Sequence, residues 1–361
     1  MTDAVRRKIE ELIRRHEDPV LGPALQRAHI EHELKLDGDR VAVNLKLGFP
    51  ARRFGRGLAG ALKNAIEALP GSLSANVRIT SKIQPHQSQP DVERHRSVKN
   101  IIAVSSAKGG VGKSTVAANL ALALVAEGAR VGMLDADIYG PSQPMMLGVK
   151  GRPDSHDGKT MEPLTSYSIQ SISVGYLIDE DEPMIWRGPM VTKALQQLLS
   201  DTNWKDLDYL IIDMPPGTGD IQLTLCQHVP VAGAVIVTTP QDIATLDARK
   251  GLQMFRTVNV PVLGVIENMS THTCTNCGHE EHIFGEGGGG RIASDYGVAL
   301  LGSLPLDAGI REHADSGRPS VVADPDGDVA QRFRDIAVRM TATLSLQATD
   351  YTHAMPRIVI K

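Results

Sequence analysis

The sequence predicts an α/β protein, a parallel sheet covered on both faces by helices, preceded by a small α+β domain. Three observations carry that expectation. Aromatic residues are few (Trp 2, Tyr 6, Phe 5) against 34 glycines, so the core must be built from aliphatic side chains with many tight turns between elements. Short, continuous apolar runs recur from residue 100 onward with helical segments between them, the pattern of strands buried on both faces. Before residue 84 the pattern differs: an alternating hairpin lies between two amphipathic helices. At roughly 100–200 residues per domain, 361 residues hold two or three units.

Composition excludes several classes. With 42% hydrophobic and 22% charged residues the chain has the balance of an ordinary globular protein rather than a disordered one. No apolar run reaches the roughly 18 residues of a membrane helix, so no membrane role is expected. The first residues, Met1 to Lys8, lead into a charged amphipathic stretch without the apolar region of a secretory signal. Three cysteines cannot build a disulfide framework, and two of them form one Cys-x-x-Cys, which reads as metal or redox chemistry in a reducing cytoplasm. The net charge of −4 argues against a nucleic-acid partner. That charge is uneven: residues 1–98 carry 17 Lys and Arg against 12 Asp and Glu, the remainder 21 against 30. A basic front and an acidic body can dock on one another as readily as on an external partner.

Residues 4–16 read as a helix with Val5, Ile9, Leu12 and Ile13 on one face. Ile30, Leu34 and Leu36 alternate loosely; Asp37-Gly38 then turns into strict alternation at Val41, Val43, Leu45 and Leu47. Leu58, Leu62, Ala65, Ile66 and Leu69 mark a second helix closed by Pro70-Gly71, and residues 75–83 return as a strand. This unit spans 1–84. Residues 85–99 are polar with almost nothing to bury and read as a linker. The main domain spans 100–345, with buried strands at 100–105, 130–134, 209–212, 234–238 and 262–266 and helices at 115–127 and 291–296. Residues 346–361 read as an irregular tail.

The first buried strand runs into Ala107-Lys108-Gly109-Gly110-Val111-Gly112-Lys113-Ser114-Thr115, and a helix follows at once. Such glycines let the backbone fold around phosphate oxygens with its N–H groups aimed inward at the positive end of the helix. Lys113 then bridges the β- and γ-phosphates, and the Ser114 hydroxyl holds Mg²⁺. A dinucleotide site is excluded, because the spacing G-x-G-x-x-G is absent and Lys113-Ser114 belongs to a triphosphate loop. Leu210-Ile211-Ile212-Asp213 is a buried strand ending in a carboxylate, the Walker B position, with Asp213 on the Mg²⁺ shell. Met214 to Asp220 after it is a loop of the kind that switches on γ-phosphate loss. Asp135-Ala136-Asp137 puts two acids at another strand end. Beside a P-loop they read as functional rather than as loop caps, Asp137 positioning the attacking water and Asp135 the metal's waters.

The loop departs from the standard motif, with Ala107 in place of the first glycine and Lys108 after it. It resembles the deviant Walker A group of P-loop ATPases, which work as nucleotide-sandwich dimers; the resemblance implies that Lys108 reaches the phosphates of the facing subunit. Residues 104–148 (including DADIYGPSQPMMLG), 204–220 and Glu267-Asn268-Met269-Ser270 resemble the Mrp/NBP35 family of iron–sulfur cluster carrier ATPases. The N-terminal unit is similar to the MIP18-like domain fused ahead of the ATPase in bacterial members of the ApbC type. The resemblance implies that Asn268 contacts the adenine of ATP, with the Leu304-Pro305-Leu306-Asp307 turn over it.

Cys274-Thr275-Asn276-Cys277 lies in a polar loop after the 262–266 strand. Iron–sulfur clusters and structural zinc both want about four ligands, and this pair supplies two. Two chains related by a dyad supply four, and the resemblance implies that arrangement: a labile [4Fe–4S] cluster bridging a homodimer and passed to apo iron–sulfur proteins. The alternatives are zinc closed within one chain by His279 and His282, or a redox dithiol. Cys226, in the apolar stretch 221–228, reads as a core thiol. The Gly287-Gly288-Gly289-Gly290 run reads as a hinge or a second anion nest. Phe49, Arg52, Arg53 and Phe54 read either as a partner surface or as a solvated helix start. Two other functions stay open: a MinD/ParA-type positioning ATPase, which wants an amphipathic membrane helix or a basic DNA-binding face, and a zinc-stabilised regulatory nucleotide-binding protein.

Overall fold

A computed structural model describes residues 2–22, 31–71, 73–89, 92–178 and 188–350. Helix α1 (Thr2–Arg15) buries Ile9 and Ile13. Strands β1 (Glu31–Asp37) and β2 (Arg40–Leu47) form the expected hairpin, and β2 alternates as its sequence does, with Val41, Val43, Leu45 and Leu47 inward. Ile30, expected at the start of β1, lies outside the described residues. Helix α2 (Phe54–Glu67) packs Leu58, Leu62 and Ile66 on this sheet, and β3 (Ser74–Ser81) returns parallel to β2 at the sheet's edge.

The body is one eight-stranded sheet. Its elements are β4 (Val98–Ser105), α3 (Lys113–Ala126), β5 (Val131–Asp135), the single turn α4 (Gln143–Met146), β6 (Leu164–Ser166), β7 (Ile169–Ser173), α5 (Gly188–Ser200), β8 (Leu207–Asp213), α6 (Asp220–His228), β9 (Val231–Thr238), α7 (Asp242–Thr257) and β10 (Val262–Glu267). The ribbons β11 (His272–Thr273) and β12 (Glu280–Glu281) follow, then α8 (Gly288–Tyr296), β13 (Leu300–Ser303), α9 (Ala308–Asp315), α10 (Ser320–Ala323) and α11 (Asp328–Ser345). The strand order is β13-β10-β9-β4-β8-β5-β7-β6, parallel throughout except for the antiparallel β6. Strands β4, β8 and β9 are almost wholly buried, which is why they read as unbroken apolar runs. Apolar cores lie on both faces. The topology brings the carboxyl ends of β4, β5, β8 and β10 together, the edge where open α/β sheets place their ligands.

Helix α11 ties the two sheets together. Its Ala337, Met340 and Leu344 pack into the body, while Val338 and Ala342 on the adjoining stripe pack into the core of the first sheet. Burying each large aliphatic or Met side chain stabilises by about 1.5–3 kcal/mol. A second tie is polar: α2 has no side-chain cap of its own, and Glu127, just past the end of α3, accepts from the N–H groups of Arg53 (2.8 Å) and Phe54 (3.1 Å).

Three local readings need correction. Residues 84–89, expected to bury almost nothing, are docked by polar contacts: His86 and Gln89 are buried, and the Gln89 amide bonds the Val231 N–H (3.0 Å) and the Cys226 carbonyl. Residues 348–350 run back along the same segment, with Gln87 N–H on the Ala348 carbonyl at 2.9 Å; the rest of the expected tail, 351–361, lies outside the described residues. The glycine run is packed rather than a free hinge at two of its four positions: a Cβ on Gly288 would stand 2.5 Å from the Pro240 carbonyl oxygen, and one on Gly289 would stand 2.9 Å from Glu267, whose carboxylate accepts from the Gly289 N–H. Gly288 and Gly289 let α8 seat tightly.

Candidate functional site

The loop between β4 and α3 needs glycine at two places. Gly110 and Gly112 both take φ of +81°, the left-handed region. Gly112 is doubly constrained, since a Cβ there would stand 2.3 Å from Nδ2 of Asn268. Gly109 and Gly110 face open space, and Val111 is buried beneath them. Lys113 opens α3, buried, with Nζ on a carboxylate oxygen of Asp213 and 3.1 Å from Oγ of Ser114. Ser114 and Thr115 are half-buried in the first turn, whereas Lys108 is exposed.

Asp135 and Asp213 sit side by side because β5 and β8 pair in that register. Asp135 accepts from the N–H groups of Asp137, Ser142 and Gln143 and from the Ser173 hydroxyl, each at 3.1 Å. Complete burial, and then the charge of Asp213, push its carboxyl up to about 7. Asp137, half-buried at the rim, is also raised by burial, with Lys113 pulling the other way. The expected residues therefore converge: the P-loop, Asp135, Asp137 and Asp213 share one edge of the sheet. Around them the following loop is pinned to β4, Met214 N–H on the Val104 carbonyl (3.0 Å) and Gly217 N–H on that of Ser106 (2.9 Å).

Sequence reasoning misses Gln143. Its amide nitrogen donates to Oδ2 of Asp213 at 2.8 Å and to the Ser114 carbonyl at 3.1 Å, tying the Walker B acid to the P-loop helix. Its Oε1 and the Ser142 hydroxyl are buried without a partner among the described residues. Unpaired buried oxygens beside two carboxylates and a lysine are what the waters of a hydrated divalent cation require, so the residues fit Mg²⁺-nucleotide.

From the same edge the chain runs on to the cysteines. Asn268, buried at the end of β10, donates from its amide nitrogen to the Val111 carbonyl (2.9 Å), which leaves Oδ1 for another contact. The stretch beyond is stitched to the 304–307 turn: Ser270 N–H reaches the Leu304 carbonyl (2.9 Å), Leu306 N–H that of Thr271 (2.7 Å), and the His272 ring that of Leu306 (3.0 Å). The β11–β12 ribbon then presents both cysteines on one turn, closed by Cys274 N–H on the His279 carbonyl and Gly278 N–H on that of Cys274, each 2.9 Å. Both thiols are free, Cys274 half-exposed and Cys277 exposed. The N–H groups of Asn276 and Cys277, and the Cys277 thiol, hold the Cys274 thiol below its ordinary range, favouring the thiolate that binds metal. His282 has Nδ1 on the Ser270 carbonyl (2.9 Å), and among the described residues no three His, Cys, Asp or Glu side chains are grouped to hold a metal. Cys226 is buried, which pushes its thiol up to about 12, so it is inert as a ligand.

The likenesses to known proteins fall on these parts of the chain. Residues 97–341 match the NUBPL iron-transfer P-loop NTPase family, and residues 6–79 match an iron–sulfur cluster assembly protein family. An iron–sulfur cluster carrier protein of Pseudomonas fragi is 59% identical over 279 residues, 77% of this chain and 97% of that protein. One from Haemophilus influenzae is 47% identical over 347 residues, 95% of this chain and 93% of that protein, so the likeness spans both sheets. Among solved structures, a nucleotide-binding protein from Archaeoglobus fulgidus in complex with ADP superposes with a TM-score of 0.56 at 35% identity, covering 64% of this chain and 90% of that one. With its P-loop, paired strand-end acids and exposed cysteine turn in these positions, the chain belongs to the NUBPL iron-transfer P-loop NTPase family.

Proposed function

We propose that the protein is an ATP-dependent carrier that holds a labile [4Fe–4S] cluster between two copies of itself and passes it to apo iron–sulfur proteins in the cytoplasm. The observation that carries this reading is the short path from nucleotide to cysteines: Asn268 grips the P-loop, and Cys274 follows six residues later in a stretch fixed by hydrogen bonds. The names of the relatives support the cargo. No described helix is long and apolar enough to cross a membrane.

In this reading Gly109, Gly110, Val111 and Gly112 wrap the phosphates, Lys113 leaves Asp213 for the β- and γ-phosphates, and Ser114 and Asp213 hold Mg²⁺. Thr115 completes the first turn around the phosphates. Asp137 orients the attacking water, and Asp135 with Gln143 orders the metal's waters. Oδ1 of Asn268 meets the adenine amino group. Lys108, exposed on the loop, reaches the nucleotide of the second copy and makes hydrolysis depend on the dimer. Mg²⁺ supplies neutralisation of the phosphate charge. Any shift of the P-loop is transmitted through Asn268 to the cysteine turn, which gives the two nucleotide states different holds on the cluster.

The test is anaerobic reconstitution with iron and sulfide, read by absorbance, metal analysis and sizing on one sample. Cys274→Ala or Cys277→Ala should abolish iron binding with nucleotide binding unchanged, while Cys226→Ala keeps its iron. One zinc per monomer, retained through reducing anaerobic purification, overturns the bridging cluster.

A further inference from the structure

The basic and aromatic cluster at the start of α2 resolves into parts with different roles. Phe49 is fully buried and meets Phe54 with ring centroids 6.1 Å apart, so both serve the core. Arg53 is spent on the body, on the Pro325 carbonyl (3.2 Å) and Asp326 (3.3 Å). Arg52 is not. With Arg56 and Arg78 it lines an open groove of about 670 Å³ between α2, the β3 edge and the body, and no ion pair holds any of the three among the described residues.

The groove runs along an unpaired strand. β3 has β2 on one side and, among the described residues, no strand on the other. Ser74 and Lys82 donate to Asp39 and Leu47 (2.9 and 2.8 Å), which sets the phase of the parallel ladder. In that phase Asn76, Arg78 and Thr80 turn their main-chain groups to β2, while Ala75, Val77, Ile79 and Ser81 turn theirs outward. The Ala75 N–H is taken by Glu67 at 3.0 Å. Val77, Ile79 and Ser81 are left with N–H and carbonyl groups facing the groove. Edges of this kind are normally blunted. Here the edge is flanked by guanidinium groups, which repel a basic strand and attract an acidic one.

We infer that this groove receives an extended acidic segment of a partner protein, which adds as a fourth strand beside β3 with its carboxylates on Arg52, Arg56 and Arg78. Main-chain pairing to Val77, Ile79 and Ser81 supplies affinity, and the arginines supply the choice of charge. Glu127 also lines the groove, but its carboxylate is held by the α2 N-terminus and burial raises it toward the neutral form. The site lies away from the P-loop and needs no cluster, so it stands or falls independently of the carrier reading.

The probe is a fluorescein-labelled nonapeptide of Asp and Val in alternating pairs, which presents carboxylates on both faces of a strand, titrated by anisotropy into the full chain. Three controls accompany it: the same peptide N-methylated at alternate residues, a Lys-for-Asp version, and a single-stranded oligonucleotide of similar charge. The acidic peptide should bind; N-methylation or Lys-for-Asp exchange should each weaken binding at least about tenfold. Arg52→Ala/Arg56→Ala/Arg78→Ala, shown by circular dichroism and retained nucleotide binding to be folded, should weaken it similarly. No binding below about 1 mM, equal binding of the N-methylated peptide, an unchanged affinity in the triple variant, or tighter binding of the oligonucleotide would each overturn the inference.

Discussion

The nucleotide edge and the cysteine turn treat their reactive groups in opposite ways. At the nucleotide edge the buried groups have protein partners: Lys113 rests on Asp213, Gln143 on both Asp213 and the P-loop helix, and Asp135 on four donors. At the cysteine turn the ribbon is two residues per strand, both thiols are free, and its polar side chains are largely exposed. The buried part of the first is completed by one fold, and only the exposed Lys108 is left for a second copy in the proposed function. The second offers two thiols where a cluster wants about four ligands, and in the proposed function a second chain supplies the rest. One region pairs its reactive side chains before any ligand arrives, whereas the other fixes its main chain by hydrogen bonds and leaves its thiols for what it binds.

The comparison breaks first at Lys113. Lys113→Ala should destabilise the nucleotide-free protein by about 3 kcal/mol, because it strands a fully buried carboxylate. The same change should weaken ATP binding about 10–150-fold through the lost phosphate contact. Adding Asp213→Asn should restore most of the stability and none of the affinity. Thermal denaturation and nucleotide titration on the three proteins separate the two effects; a Lys113→Ala protein as stable as the parent would mean that the pair contributes nothing to the fold. Replacing either cysteine, by contrast, should leave apo stability unchanged.

Gln143 sharpens the contrast at a smaller scale. Gln143→Leu keeps the volume but removes the donor to Asp213 and the unpaired Oε1. Nucleotide affinity in the presence of Mg²⁺ should fall roughly tenfold, with affinity in its absence little changed. Titration calorimetry with and without the metal reads the difference. An equal loss in both conditions would assign Gln143 to the architecture of α4 rather than to the metal's waters.

The parts of this design that are local in the chain are legible in the sequence. Lys113-Ser114 after a buried strand, and Asp213 at the end of another, are spacings within one or two elements. The other parts depend on which strands become neighbours. The motifs bring Asp135 and Asp213 to one metal ion, but nothing local says that β5 pairs with β8, so their register and the reach of Gln143 to an acid seventy residues on cannot be read from the sequence. Gly288 and Gly289 mislead for the same reason, because the atoms that demand glycine there belong to Pro240 and Glu267. Strands β6 and β7 leave little signal because Leu164–Ser166 and Ile169–Ser173 are short and interrupted by polar residues. The 84–89 segment lacks apolar side chains and so resembles a linker, whereas hydrogen bonds hold it in place.

That segment supplies the smallest expected effect and a pH signature. His86 is buried with its backbone N–H and its ring Nδ1 both 3.0 Å from Oδ1 of Asn100. The Asn100 amide nitrogen donates elsewhere, to the Gln84 carbonyl at 2.9 Å, so Oδ1 is the acceptor and Nδ1 carries the hydrogen. Burial lowers the ring below its ordinary value of 6.5, outweighing the Asn100 contact and a backbone contact at Ser345 that act the other way. A histidine depressed on folding binds its proton more readily in the unfolded chain. Its stabilising contribution is therefore complete above the unfolded value and is lost as pH falls through the folded one. The melting temperature should drop on acidification below pH 6.5, and His86→Gln should flatten that slope while costing about 1 kcal/mol at neutral pH. His86 thus belongs with the nucleotide edge, among the polar groups the fold has already satisfied. If the acid slope is unchanged in His86→Gln, the destabilising protons bind elsewhere, and the docked segment is held by Gln89 and its main chain instead.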